Sequence, residues 1–295
     1  MDPATAAASV ALSAEGEELF DLFRRPHGRS RPRPDERAAM ESARTGELRV
    51  GPAKVVTYHW GDGRKPVLLV HGWESRASRY AKTVGRLVEL GCSPVAFDAP
   101  GHGESEGDTT TLVEYRDIIL ALQRTYGGFV GAVGHSFGAL AVSLALRRGL
   151  RADRLVAVSP VPDFAYLVDA FCGARGLEPG LADEVRTRIE CDLYPGEPDM
   201  WTRFSILDGA AEDGAPLLVV QDEDDAAVDP ARTGRLVEAL GDRARLFTTR
   251  RYGHLRILGA PQVVEEIALF AAGTRAGAEA GQDMETGRGA EAVAG

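Results

Sequence analysis

Apolar residues in this chain fall into short unbroken runs, separated by stretches in which they recur every three or four positions. Val67–Val70, Pro94–Phe97, Phe129–Val133, Arg154–Val158 and Leu217–Val220 are such runs. Bounded by Gly, Pro and Asp, and without polar alternation, they read as strands buried on both faces. Lys54–Tyr58 and Arg245–Thr248 read as further strands. Ser78–Leu90 (ended by Gly91), Leu112–Arg124, Ala139–Arg148, Ala231–Leu240 and Val263–Phe270 carry helical spacing. The alternation predicts an α/β fold: a mostly parallel central sheet flanked by helices, with the first strand or two antiparallel.

The rhythm breaks at two places. Roughly fifty residues separate the Val158 and Leu217 strands, too many for a structureless loop. They hold helical patterns near Tyr166–Ala174 and Leu181–Leu193. This predicts a small helical cap, residues 162–214, above the carboxyl ends of the strands, where open sheets bind ligands. At the other end, Ser13 can cap a helix through Arg24 with Leu19, Phe20 and Phe23 on one side. The basic stretch Arg24–Arg37, broken by Pro26, Pro32 and Pro34, reads as a solvated linker, and a second helix is expected near Glu36–Arg44. The core then occupies residues 47–161 and 215–273, behind an N-terminal extension, residues 1–46. The Gly-, Ala- and Glu-rich tail, residues 274–295, is expected to be disordered.

One pentapeptide in this pattern carries chemistry. Gly134-His135-Ser136-Phe137-Gly138 joins a buried strand to a helix, with Ser136 at the apex. Glycines on either side let the two backbones pass closely and leave the hydroxyl exposed at the sheet edge: a nucleophile elbow. A serine needs a base and a group to orient that base. Among six histidines, His254 follows the last strand, in Tyr252-Gly253-His254-Leu255, and is the expected base. The orienting acid should follow the preceding strand, where Asp222, Glu223, Asp224 and Asp225 compete. Asp225, before the Ala-Ala-Val turn, is the first choice and Asp224 the runner-up. The order Ser136, Asp225, His254 matches one triad class and neither common protease order. An oxyanion would need backbone N–H donors, for which Phe137 and Trp73, in His71-Gly72-Trp73, are the candidates. His71 and His135 are expected to brace these loops.

Other properties narrow the function class. The 295 residues carry a net charge of -10, which disfavours nucleic acid as the partner. No run of about 18 apolar residues suggests a membrane span. The N-terminus is alanine-rich but has Asp2 and no basic segment, so it is a poor signal peptide and a cytoplasmic protein is expected. Cys92, Cys172 and Cys191 lack CxxC spacing. A disulfide framework is not expected, though a 172–191 bridge stays open. The turn Asp98-Ala99-Pro100-Gly101-His102-Gly103-Glu104-Ser105 is not a dinucleotide loop, no Walker sequence occurs, and no spaced ligand set suggests a metal. No cofactor is expected. A homodimer is an open option.

Taken in order, Leu69-Val70-His71-Gly72-Trp73, the Asp98–Ser105 turn, Gly134–Gly138, the Asp225 loop and Gly253-His254 resemble the α/β-hydrolase superfamily over roughly Lys54–Phe270. The similarity is closest to capped serine esterases and lyase-like relatives. The resemblance implies an α/β-hydrolase fold with Ser136 as nucleophile, His254 as base, Asp225 as acid, and Trp73 and Phe137 as oxyanion donors. Asp222 stands where relatives commonly have glycine, and Ala226 where proline is frequent. The implied reaction is cleavage of a carboxylic ester through an acyl-enzyme, on a small substrate with an apolar or aromatic acyl group. A thioesterase or a carbon–carbon bond hydrolase would use the same triad, and a ligand-binding module with vestigial activity is the alternative of another class.

Overall fold

Eight strands form a single sheet in the order β1-β2-β4-β3-β5-β6-β7-β8 in the computed structural model, which describes residues 13–208 and 214–274. The strands are β1 Arg44–Val50, β2 Ala53–His59, β3 Pro66–Val70, β4 Ser93–Phe97, β5 Gly131–His135, β6 Leu155–Val158, β7 Leu217–Asp222 and β8 Ala244–Thr249. β2 runs antiparallel to β1 and β4, and all other pairs are parallel. Every residue of β4, β5, β6 and β7 is buried, as unbroken apolar runs require when helices cover both faces.

Alternate residues of each strand serve two cores. Leu68, Val70, Ala132, Leu155 and Val219 face α4 (Leu112–Tyr126) and α5 (Phe137–Leu146). Val67, Leu69, Val133, Val156 and Leu218 face α3 (Ala81–Glu89) and the last helix, Pro261–Ala272. Capping residues bound these helices. Thr111 accepts from Glu114 N–H at the start of α4, and Gly127, with φ 80°, ends it. α5 is apolar all round and has no exposed residue.

The N-terminal region differs from its sequence reading. α1 (Ala14–Arg24) forms as expected, with the Ser13 hydroxyl accepting from Gly16 N–H. α2 is shorter than expected, Arg37–Glu41, and the chain enters β1 at Arg44, before the expected core boundary. β1 is an edge strand, largely exposed, and only Leu48 and Val50 alternate toward the core, which is too short a pattern to mark a strand. The basic stretch between α1 and α2 is not a solvated linker. Arg29 donates to the carbonyls of His102, Gly103, Ser105 and Gly107 at 2.5–3.1 Å. Arg76 donates to Ser30 O, and Glu36 is buried against Ser78 and Arg79. The basic residues here hold the chain down against backbone oxygens and carboxylates.

Between β6 and β7 lie α6 (Phe164–Ala174), α7 (Pro179–Arg188), a π turn at Ile189–Leu193 and α8 (Met200–Arg203). The predicted helical patterns fall on these elements. The tail beyond Thr274 lies outside the described residues. All three cysteines are free.

The loop after β4 is organised by Asp98, which is fully buried. It accepts from Tyr58 OH, Ala77 N–H and Glu104 N–H at 2.8–2.9 Å, with Arg76 Nη2 at 3.5 Å. Burial, then the Asp98 charge, pushes the Tyr58 phenol upward, so it stays a donor. Asp98→Ala leaves three donors without their acceptor, whereas Arg76 keeps Glu104 Oε1 and Ser30 O. The variant is expected to lose about 3 kcal/mol or more in urea unfolding, at about 1–3 kcal/mol for each buried donor left unpaired. A loss below about 1 kcal/mol would show that water replaces the carboxylate.

Candidate active site

Close backbone approach fixes the turn after β5. A Cβ on Gly134 would lie 2.5 Å from Ala139 Cα, and one on Gly138 would lie 2.4 Å from Val70 O. Only glycine fits at either position. The first contact is strand against helix, as the sequence suggests; the second is helix α5 against the end of β3. Gly72 lies against the same turn: a Cβ there would sit 3.1 Å from Ser136 Cβ. Ser136 is left with φ 53° and ψ -119°, a conformation costing on the order of 1–3 kcal/mol in a non-glycine residue. It is held there by its N–H on Val158 O (2.9 Å) and by Ala139 N–H on its own carbonyl (3.0 Å).

The carboxyl edge of the sheet collects such residues. Of the five non-glycine residues with positive φ among the described residues, four follow strand ends on this edge: Glu74, Ser136, Ser159 and Arg251. Strain of this kind concentrates at functional sites. The His135–Val158 pairing of β5 and β6 sets Ser159 beside Ser136. The Ser159 hydroxyl is buried and has no hydrogen-bond partner among the described residues.

His254 lies on the short helix Gly253–Arg256 after β8, and its Nδ1 meets Asp225 Oδ2 at 2.9 Å. Each of the four competing acids has its own partners. Asp222 accepts from Thr249 Oγ1 and from the N–H groups of Asp224, Tyr252 and Gly253, so it ties the loop after β7 to the loop after β8. Glu223 pairs with Arg250, and Asp224 accepts from Arg251 N–H. Asp225 alone reaches His254. Its carboxylate also accepts from Ala227 N–H, Val228 N–H and Gln221 Nε2. Burial would raise the Asp225 carboxyl, but the His254 contact and the two N–H groups outweigh it and hold the group at about 2. It is therefore ionised at neutral pH and can accept an Nδ1 proton, leaving Nε2 of His254 as the free ring nitrogen. Ser136 and His254 make no hydrogen bond in this structure. Contacts of this type often tighten only around substrate.

Trp73 N–H donates to no protein acceptor. Phe137 is the first residue of α5, so its N–H has no partner within the helix. The Trp73 and Phe137 rings pack with centroids 5.6 Å apart. Three buried histidines brace the surrounding loops. His71 Nε2 accepts from Ala99 N–H and Nδ1 donates to Gly72 O; His102 Nε2 accepts from Glu74 N–H and Nδ1 donates to Pro100 O. His135 Nε2 donates to the carbonyl of His254, anchoring the loop that carries the imidazole. Burial is the main cause of the low values of all three, about 4 for His71 and about 3 for His102 and His135. They are neutral in the folded protein.

A cavity of about 290 Å³ opens beside Trp73 and Phe137. Its walls are Phe164, Leu167 and Phe171 of α6, Tyr194, and, from α1, Leu22 and Phe23. Of the apolar residues between β6 and β7, Phe164, Leu167, Phe171 and Tyr194 reach the cavity. Phe204 packs edge-on beneath Phe164 and Tyr194, and Tyr166 instead bonds the Asp225 loop through Ala227 O and Asp229 N–H. The contribution of α1 has no signal in the spacing of the sequence; only its apolar face hinted that it covers something.

Residues 67–267 match the model of the alpha/beta hydrolase family. The chain belongs to that family. A search of curated protein sequences returned no match. Among solved structures, the chain is similar to an esterase from Pyrococcus furiosus (21% identity, TM-score 0.60, covering 84% of this chain and 97% of that one). It is also similar to a monoacylglycerol lipase from Paleococcus ferrophilus (24% identity, TM-score 0.54, 74% and 98% covered). A third likeness is to a thioesterase domain from the curacin biosynthetic pathway (16% identity, TM-score 0.56, 78% and 99% covered). At these identities the likeness shows the fold. Among the described residues of this hydrolase, no cluster of His, Cys, Asp or Glu could hold a metal, and no helix is long and apolar enough to cross a membrane.

The histidines make acid stability a test of the site's architecture. The unfolded chain protonates each near pH 6.5, whereas the native sites stay neutral to about pH 3–4, so stability is present above the unfolded value and is lost as pH falls. Between pH 7.5 and 5 each histidine is expected to withdraw about 2 kcal/mol from the unfolding free energy. Urea titrations at the two pH values read this directly. Equal stabilities would show that the rings are charged in the native state.

Proposed function

We propose that this protein is a serine hydrolase that cleaves small carboxylic esters with an apolar acyl group through a covalent acyl-enzyme. The observation that carries the reading is the Asp225–His254 contact at 2.9 Å, on loops that flank a serine held in a strained turn at the start of α5. His254 takes the Ser136 proton as Oγ attacks the ester carbonyl. The imidazolium is stabilised by the ionised Asp225, which stays ionised throughout. The oxyanion is received by the N–H groups of Trp73 and Phe137. His254 then protonates the leaving alcohol, and a water molecule, deprotonated by the same imidazole, releases the acid and restores Ser136.

The cavity supports an apolar acyl group, since most of its lining is aromatic or aliphatic and includes the two proposed oxyanion donors, beside Arg24, His27, Glu74 and Arg175. The helices between β6 and β7 act in this reading as a cap that keeps water from that wall. The Pyrococcus esterase and the Paleococcus lipase are named for ester substrates, which agrees with this reading. A thioester would be cleaved by the same steps.

The test is hydrolysis of p-nitrophenyl esters from acetate to laurate by the wild type and by Ser136→Ala, Asp225→Asn and Asp224→Asn. Turnover should vanish in Ser136→Ala. It should fall by about 10⁴-fold in kcat in Asp225→Asn, because an amide there favours the wrong imidazole tautomer. Asp224→Asn should stay within a few-fold of wild type. Turnover that survives Ser136→Ala would overturn the proposal. A larger loss at Asp224 than at Asp225 would reassign the acid.

A further inference from the structure

The wall of the cavity furthest from the family's own architecture is supplied by α1. The match to the family begins at residue 67, so α1 and the strap that follows it lie outside the matched region. Yet Leu22, Phe23, Arg24 and His27 all line the cavity. We propose that α1 is the specificity wall of the acyl site and that Phe23 sets the largest acyl group the site takes. The proposal deepens the serine-hydrolase reading and rests on it.

Phe23 lines the cavity together with the Trp73–Phe137 pair. Its ring packs edge-on against Phe171 at 5.2 Å and Phe164 at 6.0 Å, so it continues the aromatic surface of α6 with no gap. The cavity it leaves is at the small end of the roughly 300–1,000 Å³ typical of small-molecule sites. That size suits a short or medium linear acyl chain, or a single aromatic ring, and opposes long chains. The ring is stiff, having two side-chain torsions and two edge-on contacts with α6, so the boundary is sharp.

The wall is also fixed in place along its length. At the start of α1 the Ser13 hydroxyl donates to Glu184 Oε2 of α7 at 2.8 Å. Past its end, His27 N–H donates to Glu74 Oε1 at 2.8 Å, next to Trp73. Two residues further on, Arg29 is seated in the four carbonyls of the loop after β4. α1 is thus tied at one end to the helices between β6 and β7, and at the other to the loops that carry Trp73 and Asp98. A helix held only by its apolar face would swing away under a longer acyl chain; this one is braced to resist it.

The test substitutes Phe23 in opposite directions and reads the ratio of kcat/KM on p-nitrophenyl laurate to that on p-nitrophenyl butyrate. Phe23→Ala should raise the ratio by about 10-fold or more, the discrimination that a few methylenes in an apolar pocket provide, and Phe23→Trp should lower it. A structural role alone would reduce kcat/KM on both esters without changing their ratio, and an unchanged ratio in both variants overturns the proposal. Binding keeps the wall testable apart from the chemistry. In a Ser136→Ala background, calorimetry with butyrate, octanoate and laurate should show laurate affinity rising in Phe23→Ala relative to butyrate. If turnover fails in wild type or survives Ser136→Ala, the hydrolase reading fails while the calorimetric ratio still decides the role of Phe23. No change in that ratio rejects it.

Discussion

The site depends on how closely three backbones approach at the end of β5. Gly134 lets α5 pass over its own strand, Gly138 lets α5 sit on the end of β3, and Gly72 lets the loop after β3 lie against Ser136. With all three pressed together, Ser136 has no relaxed conformation available and takes φ 53°. The cost is offset by α5, every residue of which is buried between the sheet and the surrounding helices. The same approach brings the start of α5 and the loop carrying Trp73 to one turn, where the Trp73 and Phe137 rings pack 5.6 Å apart. A core helix and a strained serine meet at one packing constraint.

A second layer of contacts orients the proposed pair, Asp225 and His254. Asp222 spends its four hydrogen bonds on joining the loops after β7 and β8, and His135 holds the carbonyl of His254. These contacts free Asp225 to accept from the imidazole. The buried histidines at 71, 102 and 135 are kept neutral by desolvation, so they add no positive charge to oppose protonation of His254 during a reaction cycle. Asp98 does the equivalent work for the loop beyond Trp73, through Ala77 N–H and Tyr58.

Much of the fold was legible in the sequence because its signals are local. Five apolar runs are central strands, and the Gly-x-Ser-x-Gly turn sits where strand meets helix. The long connection before Leu217 is helical. The exposed edge strand β1 was not legible, because only Leu48 and Val50 alternate toward the core, too short an apolar pattern to mark a strand. The basic stretch after α1 looked like a solvated linker because the acceptors of Arg29 are backbone carbonyls more than seventy residues away, which leave no mark in residue type. For the same reason the sequence offered four acids for one role. Asp222, Glu223, Asp224 and Asp225 differ in the partners that the fold brings to them, and only the tertiary contact singles out the one on His254. Phe23 in the cavity wall is another long-range consequence: its partners Phe164 and Phe171 lie on a helix inserted far along the chain.

The most direct measurement of the central claim is covalent labelling with an alkyl fluorophosphonate, followed by peptide mapping by mass spectrometry. Attack by an activated serine on phosphorus expels fluoride and leaves a stable phosphonyl ester. The account predicts a single adduct on Ser136 at neutral pH, formed much more slowly when Asp225 is replaced by Asn. No adduct, or an adduct on another residue while Ser136 stays unmodified, would contradict the claim that the packing at this turn produces a nucleophile.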